Sequence, residues 1–144
     1  MVNEIIQQDG DIDKFSVDAI LAVLKGESHL DRALDAALSV RKHLDDLPAQ
    51  SEVAGFQAKV SIGIDSGKMI SGNIGSAKLR RLDYTVIGDV VNTAQRLQDK
   101  AKAGQILISE TSWQKVNESF VCKPVEHINL KNKSKSLMVY EVLD

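Results

Sequence analysis

The 144-residue sequence predicts an α+β fold of ferredoxin-like type, in which an antiparallel sheet packs with helices. Two observations lead to this class: helical and extended patterns alternate along the chain, and several extended segments read as antiparallel hairpins. A hydrophobic fraction of 43% is enough for a real core. The length suits one domain, which we expect to cover residues 1–144.

The first half of the chain reads as a short helix, a hairpin and a long helix. "VNEIIQQ" is helical in pattern and ends at "DGD", and "DIDKFSVDAILAVLKG" reads as two short strands around a turn. "SHLDRALDAALSVRKHLDDL" carries an apolar stripe at helical spacing. Ser28 followed by Asp31 resembles a capping box, which predicts the start of this helix.

The second half contains more strands, interrupted by two helices. "FQAKVSIGIDSGKMISGNIG" alternates apolar and polar residues and reads as a hairpin or a bulged strand, with glycines that allow bulges or close backbone approach. "RLDYTVIGD" is a loop and a short strand, and "VVNTAQRLQDKAKAG" is a helix closed by Gly104. "QILIS" reads as a buried strand, "ETSWQKV" as a short helix and "HINLKNKSKSLMVYEV" as a terminal hairpin.

Composition and charge argue against several classes of function. A net charge of -2 and an aromatic content of 4% do not suit nucleic-acid binding, which needs a basic surface and stacking platforms. No apolar run approaches the roughly 20 residues that span a bilayer, and the polar N-terminus is not a signal peptide. A single cysteine, Cys122, fits a reducing compartment. We therefore expect a cytoplasmic domain without a membrane segment in this chain.

Two sequence features resemble functional motifs but do not match them. "GIDSGKM" lacks the spacing and the Ser/Thr of a Walker phosphate loop. His29, His43 and His127 have no metal-ligand spacing and are expected to be surface residues.

The segment "DYTVIGDVVNTAQRL" reads as a strand, a Gly turn and an amphipathic helix. Asn92 and Arg96 are four residues apart and therefore share one face, away from the apolar positions of this helix. An amide beside a guanidinium, just after a Gly turn, is suited to an anionic ligand. The alternative is a solvated pair on an exposed helix face.

At "RRLDYTVIGDVVNTAQRL" the sequence strongly resembles the class III adenylyl/guanylyl cyclase catalytic domain. Further matching blocks follow in family order along residues 1–144: "DKFSVDAILAVL", "HLDRALDAALSVRKHL", "VSIGIDSGKMISGNIGS", "GQILIS" and "NLKNKSKSLMVYEV". The resemblance implies the class III nucleotidyl cyclase fold. It also implies that a nucleoside triphosphate's 3′-hydroxyl attacks its own α-phosphate, and that pyrophosphate leaves. Two divalent metals, Mg²⁺ or Mn²⁺, assist this reaction in the family.

The resemblance assigns roles to individual residues. It implies that Asn92 orients the ribose, that Arg96 neutralises charge at the α-phosphate, and that Lys131 contacts the terminal phosphates. Lys14 and Thr85 match the pair that reads the base. Lys with Thr looks like the bacterial ATP-using combination, since guanylyl cyclases carry Glu at the Lys position. The alternatives are a solvated hairpin lysine for Lys131, a salt-bridged strand lysine for Lys14 and a strand-favouring side chain for Thr85.

The metal site departs from the family pattern. Asp18 matches the second metal-binding aspartate, but Val17 stands where the family usually has a turn Gly, and a β-branched residue is costly if the turn needs a positive φ. In the resembling family the first metal aspartate lies on a strand before the first helix, and that strand would here precede "VNEII". We therefore expect this chain to be an N-terminally truncated domain that lacks one ligand of the two-metal site.

The resemblance implies a site at a dimer interface, between two copies or with another cyclase domain. This chain retains the half that reads the base and holds the phosphates, and has a damaged metal-binding half. The leading prediction is an adenylyl cyclase catalytic domain that forms cyclic AMP from ATP in intracellular signalling, with this chain inactive alone if the metal site fails. The alternative is a catalytically incompetent module that binds nucleotide or a partner cyclase subunit. A ferredoxin-like RNA-binding domain fits the fold alone.

Overall fold

The structure is a computed structural model that describes residues 2–15, 19–46, 59–67, 70–74, 83–87, 89–129 and 136–144. Helices and strands alternate along these residues, as predicted. In chain order they are α1 (Val2–Gln7), β1 (Asp11–Phe15), β2 (Ile20–Val23), α2 (His29–Asp46), β3 (Ile62–Ile64), β4 (Ile70–Ile74), β5 (Asp83–Ile87), α3 (Asp89–Lys100), β6 (Ile106–Ser109), α4 (Glu110–Val116), β7 (Cys122–Asn129) and β8 (Ser136–Val142).

The strands β3, β6, β8 and β7 form a four-stranded sheet in that order. The predicted terminal hairpin is confirmed, because β7 and β8 pair antiparallel from Cys122 to Asn129, with a register shift between Pro124 and Glu126. The strand β6 pairs antiparallel with β8 and parallel with β3, so the sheet is mixed. The parallel pair requires a crossover, which the chain makes through β4, β5 and α3. The α+β class is as predicted, with one parallel pair inside its sheet.

Among the described residues, two further antiparallel strand pairs lie outside this sheet. The predicted hairpin of β1 and β2 is present, with a register shift between Ile12 and Lys14. The prediction that residues 56–75 form a single hairpin or a bulged strand is wrong, because β3 pairs with β6 whereas β4 pairs with β5. An alternating pattern shows that a segment is extended, but it does not identify the strand that will receive its hydrogen bonds.

The predicted apolar stripe of α2 supplies one side of the core. Leu34 is fully buried, and Leu30 and Ala37 pack with it. They pack with four other buried residues, Ile106, Ile108, Val116 and Val142. The partly buried residues around this cluster are Leu38, Ile62, Ile64, Trp113, Phe120, Cys122 and Tyr140. The four residues of β6 are all buried, which confirms the predicted buried strand.

The start of α2 differs from the predicted capping box. Ser28 has a φ of 56°, whereas an N-cap residue normally has extended backbone. Its main-chain carbonyl accepts a hydrogen bond from the Arg32 amide at 2.9 Å. The left-handed turn before His29 therefore starts the helix through the backbone rather than through the Ser28 hydroxyl. None of the helices in the described ranges is both long and apolar enough to cross a membrane.

Candidate active site

The helix α3 presents the predicted Asn–Arg pair away from the protein interior. Thr93 and Leu97 are buried on one side of this helix, whereas Asn92 is exposed and Arg96 is half-buried. Leu97 joins a second apolar cluster with Leu107. The periodicity of the sequence therefore separates a packing face from a polar face, and the predicted separation of the Asn–Arg pair from the apolar positions is confirmed.

Local sequence favours a helix at this position. Asp89 lies in the first turn of α3 and Lys100 in the last, so both charges complement the helix dipole. The Ala101 amide donates to the Leu97 carbonyl at 2.9 Å, which extends the hydrogen bonding past the last helical residue. The polar face of α3 thus belongs to a regular helix that is fixed to the protein interior by its buried residues Thr93 and Leu97.

The strands that carry Lys14 and Thr85 lie next to each other. Lys14 is in β1 opposite Leu21, and Thr85 is in β5 opposite Gly72. The strands β1 and β5 approach within 8 Å between Cα atoms, and β5 approaches α3 in the same way. The fold therefore brings together the three elements that carry four of the six predicted site residues.

Asp18 and Lys131 lie outside the described residues, so their assigned roles stay predictions. Among the residues that the structure does describe, no group of three or more His, Cys, Asp or Glu side chains could hold a metal ion. Asp18 stays the predicted metal ligand, and its carboxylate is the kind of oxygen ligand that Mg²⁺ prefers.

Sequence reasoning missed the polar contacts that hold the segment after β3. Asp65 accepts hydrogen bonds from the hydroxyls of Ser109, at 2.5 Å, and Ser112, at 3.2 Å. His29 was expected at the surface, but it is half-buried and bonds the Ser66 hydroxyl through Nε2 at 2.5 Å. The partners lie 37 or more residues apart in sequence. No local pattern could therefore have indicated these pairs.

The polar face of α3 carries hydrogen-bond donors of the kind that an anionic ligand needs. A guanidinium stays charged at every physiological pH and offers a planar set of donors that matches phosphate oxygens. The Asn92 side chain, one turn away, can both donate to and accept from a hydroxyl group. Half-burial of Arg96 limits how far its charge is screened by water, which strengthens its attraction to a phosphate.

The sequence of the chain is similar to that of one family of known proteins. Residues 13–143 match the model of the adenylate and guanylate cyclase catalytic domain. A terminal-differentiation-specific adenylate cyclase of Dictyostelium discoideum is 32% identical over 143 residues, which are 94% of this chain and 7% of that protein. An adenylate cyclase of Anabaena cylindrica is 34% identical over 143 residues, which are 92% of this chain and 28% of that protein. The chain thus spans less than a third of either relative.

Solved structures agree with the sequence comparisons. The adenylyl cyclase CyaB from P. aeruginosa superposes with a TM-score of 0.85 at 28% identity, covering 99% of this chain and 76% of that one. The guanylate cyclase domain of RhGC from Catenaria anguillulae, solved in complex with GTP, superposes with a TM-score of 0.82 at 25% identity, and the match covers 99% of this chain and 76% of that one. The agreement in fold, together with a family match over nearly the whole sequence, establishes that the chain belongs to the adenylate and guanylate cyclase catalytic domain family.

Proposed function

We propose that this chain is the catalytic domain of an adenylyl cyclase, which converts ATP into cyclic AMP and pyrophosphate. The observation that carries the proposal is the polar face of α3, where exposed Asn92 and half-buried Arg96 lie one turn apart on a helix beside β5, which in turn lies beside β1. Two adenylate cyclases are similar in sequence to this chain over more than nine-tenths of its length. The proposal includes a cytoplasmic location for this domain.

The proposed reaction needs one bond to form and one to break at the α-phosphorus. The ribose 3′-hydroxyl gives up its proton to solvent as its oxygen attacks the α-phosphorus, the bond from that phosphorus to the bridging oxygen breaks, and pyrophosphate carries away the electron pair. Asn92 holds the ribose so that the 3′-oxygen faces the phosphorus, which lowers the entropic part of the barrier. Arg96 donates hydrogen bonds to the α-phosphate and stabilises the charge that grows there in the transition state.

Lys14 and Thr85 are proposed to select the base. The N1 atom of adenine is a hydrogen-bond acceptor, and a lysine ammonium is a donor that can satisfy it. Guanine has a donor at that position, so the same lysine would face an unpaired donor. A mismatch of this kind is heavily penalised in a buried site. The adjacency of β1 and β5 supports a shared role for the two residues.

The remaining predicted residues complete the proposed site. Lys131 would contact the terminal phosphates, as a compact ammonium suits a polyphosphate. Asp18 would hold Mg²⁺ or Mn²⁺, whose chemistry when bound is to activate the 3′-hydroxyl and to neutralise phosphate charge. We further propose that the site forms between two cyclase domains, either two copies of this chain or this chain and another domain, with one contributing the metal ligands and the other the polar face of α3.

A second candidate is a module that binds nucleotide or a partner cyclase without catalysing the reaction itself. The feature that favours it is Val17 beside Asp18, where the resembling family has Gly before its metal aspartate. A displaced Asp18 would weaken metal binding while leaving the polar face of α3 intact. The two candidates therefore differ in turnover rather than in affinity for ATP.

The test measures cyclic nucleotide formation from ATP and from GTP with Mn²⁺ or Mg²⁺. One arm uses the chain alone. The second arm adds the CyaB catalytic domain in which the residues matching Asn92 and Arg96 have been changed to Ala, so that a productive site needs α3 of this chain. Cyclic AMP in either arm, in excess over cyclic GMP, supports the adenylyl cyclase. ATP binding without product in both arms supports the non-catalytic module, and product from GTP alone overturns the assigned substrate.

A further inference from the structure

The helix that carries Asn92 and Arg96 rests directly on a glycine of the neighbouring sheet. Gly63 is the middle residue of β3 and pairs with Leu107 of β6. A Cβ atom on Gly63 would lie 2.9 Å from the Leu97 Cβ and closer still to the Ala94 carbonyl oxygen and the Gln98 amide nitrogen. Real Cβ atoms essentially never approach other heavy atoms within 3.0 Å. The absence of a side chain at Gly63 is therefore what allows α3 to pack this close to β3.

A second glycine, Gly67, lies against a side chain at the beginning of the same helix. A Cβ on Gly67 would lie 2.7 Å from the Val90 Cγ2. That obstacle is a side-chain methyl, which can rotate or shift, whereas the obstacles at Gly63 include the backbone of α3. Backbone atoms of a hydrogen-bonded helix cannot move singly, so the helix as a whole would have to move away from Gly63.

The direction of this movement matters for the polar face. With about 100° of rotation per residue, Ala94, Leu97 and Gln98 are centred roughly half a turn around the axis from Asn92 and Arg96. The residues that touch Gly63 and the residues proposed to touch substrate thus point in opposite directions. Any increase in the separation of α3 and β3 would push Asn92 and Arg96 outward by the same amount.

We propose that Gly63 is a positioning residue, which sets how far Asn92 and Arg96 project towards the nucleotide. This proposal rests on the proposed function of α3. An alanine at Gly63 would displace α3 by about 1 Å, because non-bonded carbon atoms settle roughly 3.5–4.0 Å apart. A misplacement of about 1 Å by a residue remote from the chemistry is enough to cost roughly 10²-fold in rate.

The kinetic test compares Gly63→Ala with Gly67→Ala in whichever assay arm yields product. We expect Gly63→Ala to lower kcat 10- to 100-fold with KM changed less than threefold, and Gly67→Ala to change kcat less than threefold. Combining Gly63→Ala with Arg96→Ala separates positioning from general damage, since effects that act through one residue are not additive. In the Arg96→Ala background, Gly63→Ala should reduce kcat by a smaller factor than it does alone, because only its displacement of Asn92 remains to be felt. Equal losses in the two glycine variants, or a full further loss in the double variant, would overturn the proposal.

A crystallographic distance tests the role of Gly63 independently of whether the chain is an active cyclase. Crystals of Gly63→Ala should show the Arg96 Cα farther from the Ile108 Cα by about 1 Å than in the unsubstituted chain, whether or not the protein forms cyclic nucleotide; an unmoved α3 refutes the role of Gly63. Absence of product from the unsubstituted chain in both assay arms is instead a failure of the proposed enzyme. If Gly63→Ala does not fold, Gly67→Val should lower kcat several-fold and Val90→Ala should restore it, and no recovery would contradict the proposal.

Discussion

The Ser109 hydroxyl donates a hydrogen bond to the Asp65 carboxylate at 2.5 Å, which joins the end of β3 to the start of α4. Ser109 is also the N-cap of α4, since its side chain accepts from the Ser112 amide. The Ser112 hydroxyl donates to the same Asp65 oxygen at 3.2 Å. Both serines are 1% exposed, so Asp65 supplies an acceptor to two hydroxyls that water does not reach.

Replacing Asp65 by Ala should therefore destabilise the fold more than an ordinary surface substitution. Both buried hydroxyls would lose the Asp65 acceptor. Ser109 can still donate to the Ser112 hydroxyl at 3.0 Å, which leaves the Ser112 hydroxyl without the Asp65 acceptor, and an unsatisfied buried polar group costs about 1–3 kcal/mol. Asp65→Asn retains one acceptor oxygen and should cost less than Asp65→Ala. The free energy of unfolding from urea titrations checks the order. Asp35→Ala, at an exposed position of α2, is the matched control, and an equal effect of the two alanines would contradict the role of Asp65.

The thiol of Cys122 should react slowly in the folded protein. Burial raises the pKa of Cys122, because the charged thiolate is disfavoured away from water. Alkylation requires the thiolate, so iodoacetamide at pH 8 should modify the native chain several-fold more slowly than the urea-unfolded chain. The pKa of Cys122 is thus higher in the folded chain than in the unfolded chain. The neutral thiol contributes its full stability to the folded state below the pKa of the unfolded chain, and this contribution is lost as the pH rises through the pKa of the folded chain.

Mass spectrometry of the intact protein follows this reaction directly, because Cys122 is the single cysteine of the sequence. A Cys122→Ser variant should take up no label and sets the background. Equal rates in the native and unfolded protein would show that the thiol is not protected by its place on β7.

The polar face of α3 could be predicted because it depends on helical periodicity within a few residues. Asn92 and Arg96 need only the 3.6-residue repeat to share a face, and the exposure of that face agrees. The hydrogen bonds to Asp65 and the contact of Gly63 with α3 could not be predicted in the same way. They depend on which strand pairs with β3, and that choice is made by tertiary packing across more than 30 residues of chain.

Arg96→Ala should lower kcat by about 10²–10³, the usual loss when one preorganised donor to a developing charge is removed. The affinity for ATP should change less than tenfold, because most of the proposed benefit arises in the transition state rather than in the ground state. Steady-state rates of cyclic AMP formation and equilibrium binding of a non-cyclisable ATP analogue separate the two effects.

Lys100→Ala is the matched control for this experiment, since it removes an exposed cation from the last turn of the same helix. Its kcat should stay within threefold of the unsubstituted chain. If both variants lose activity equally, general charge on α3 is responsible and the specific role of Arg96 is wrong.

Lys14→Glu should shift the choice of nucleotide away from ATP. A carboxylate accepts but does not donate, so it would oppose the N1 acceptor of adenine and favour the donor that guanine presents there. We expect kcat/KM for ATP to fall at least tenfold while the value for GTP is unchanged or rises, because unpaired polar groups in a buried site are strongly penalised. Lys14→Met removes the donor without adding an acceptor. It should weaken the use of ATP without improving the use of GTP, and an unchanged ratio of the two kcat/KM values in both variants would exclude Lys14 from base selection.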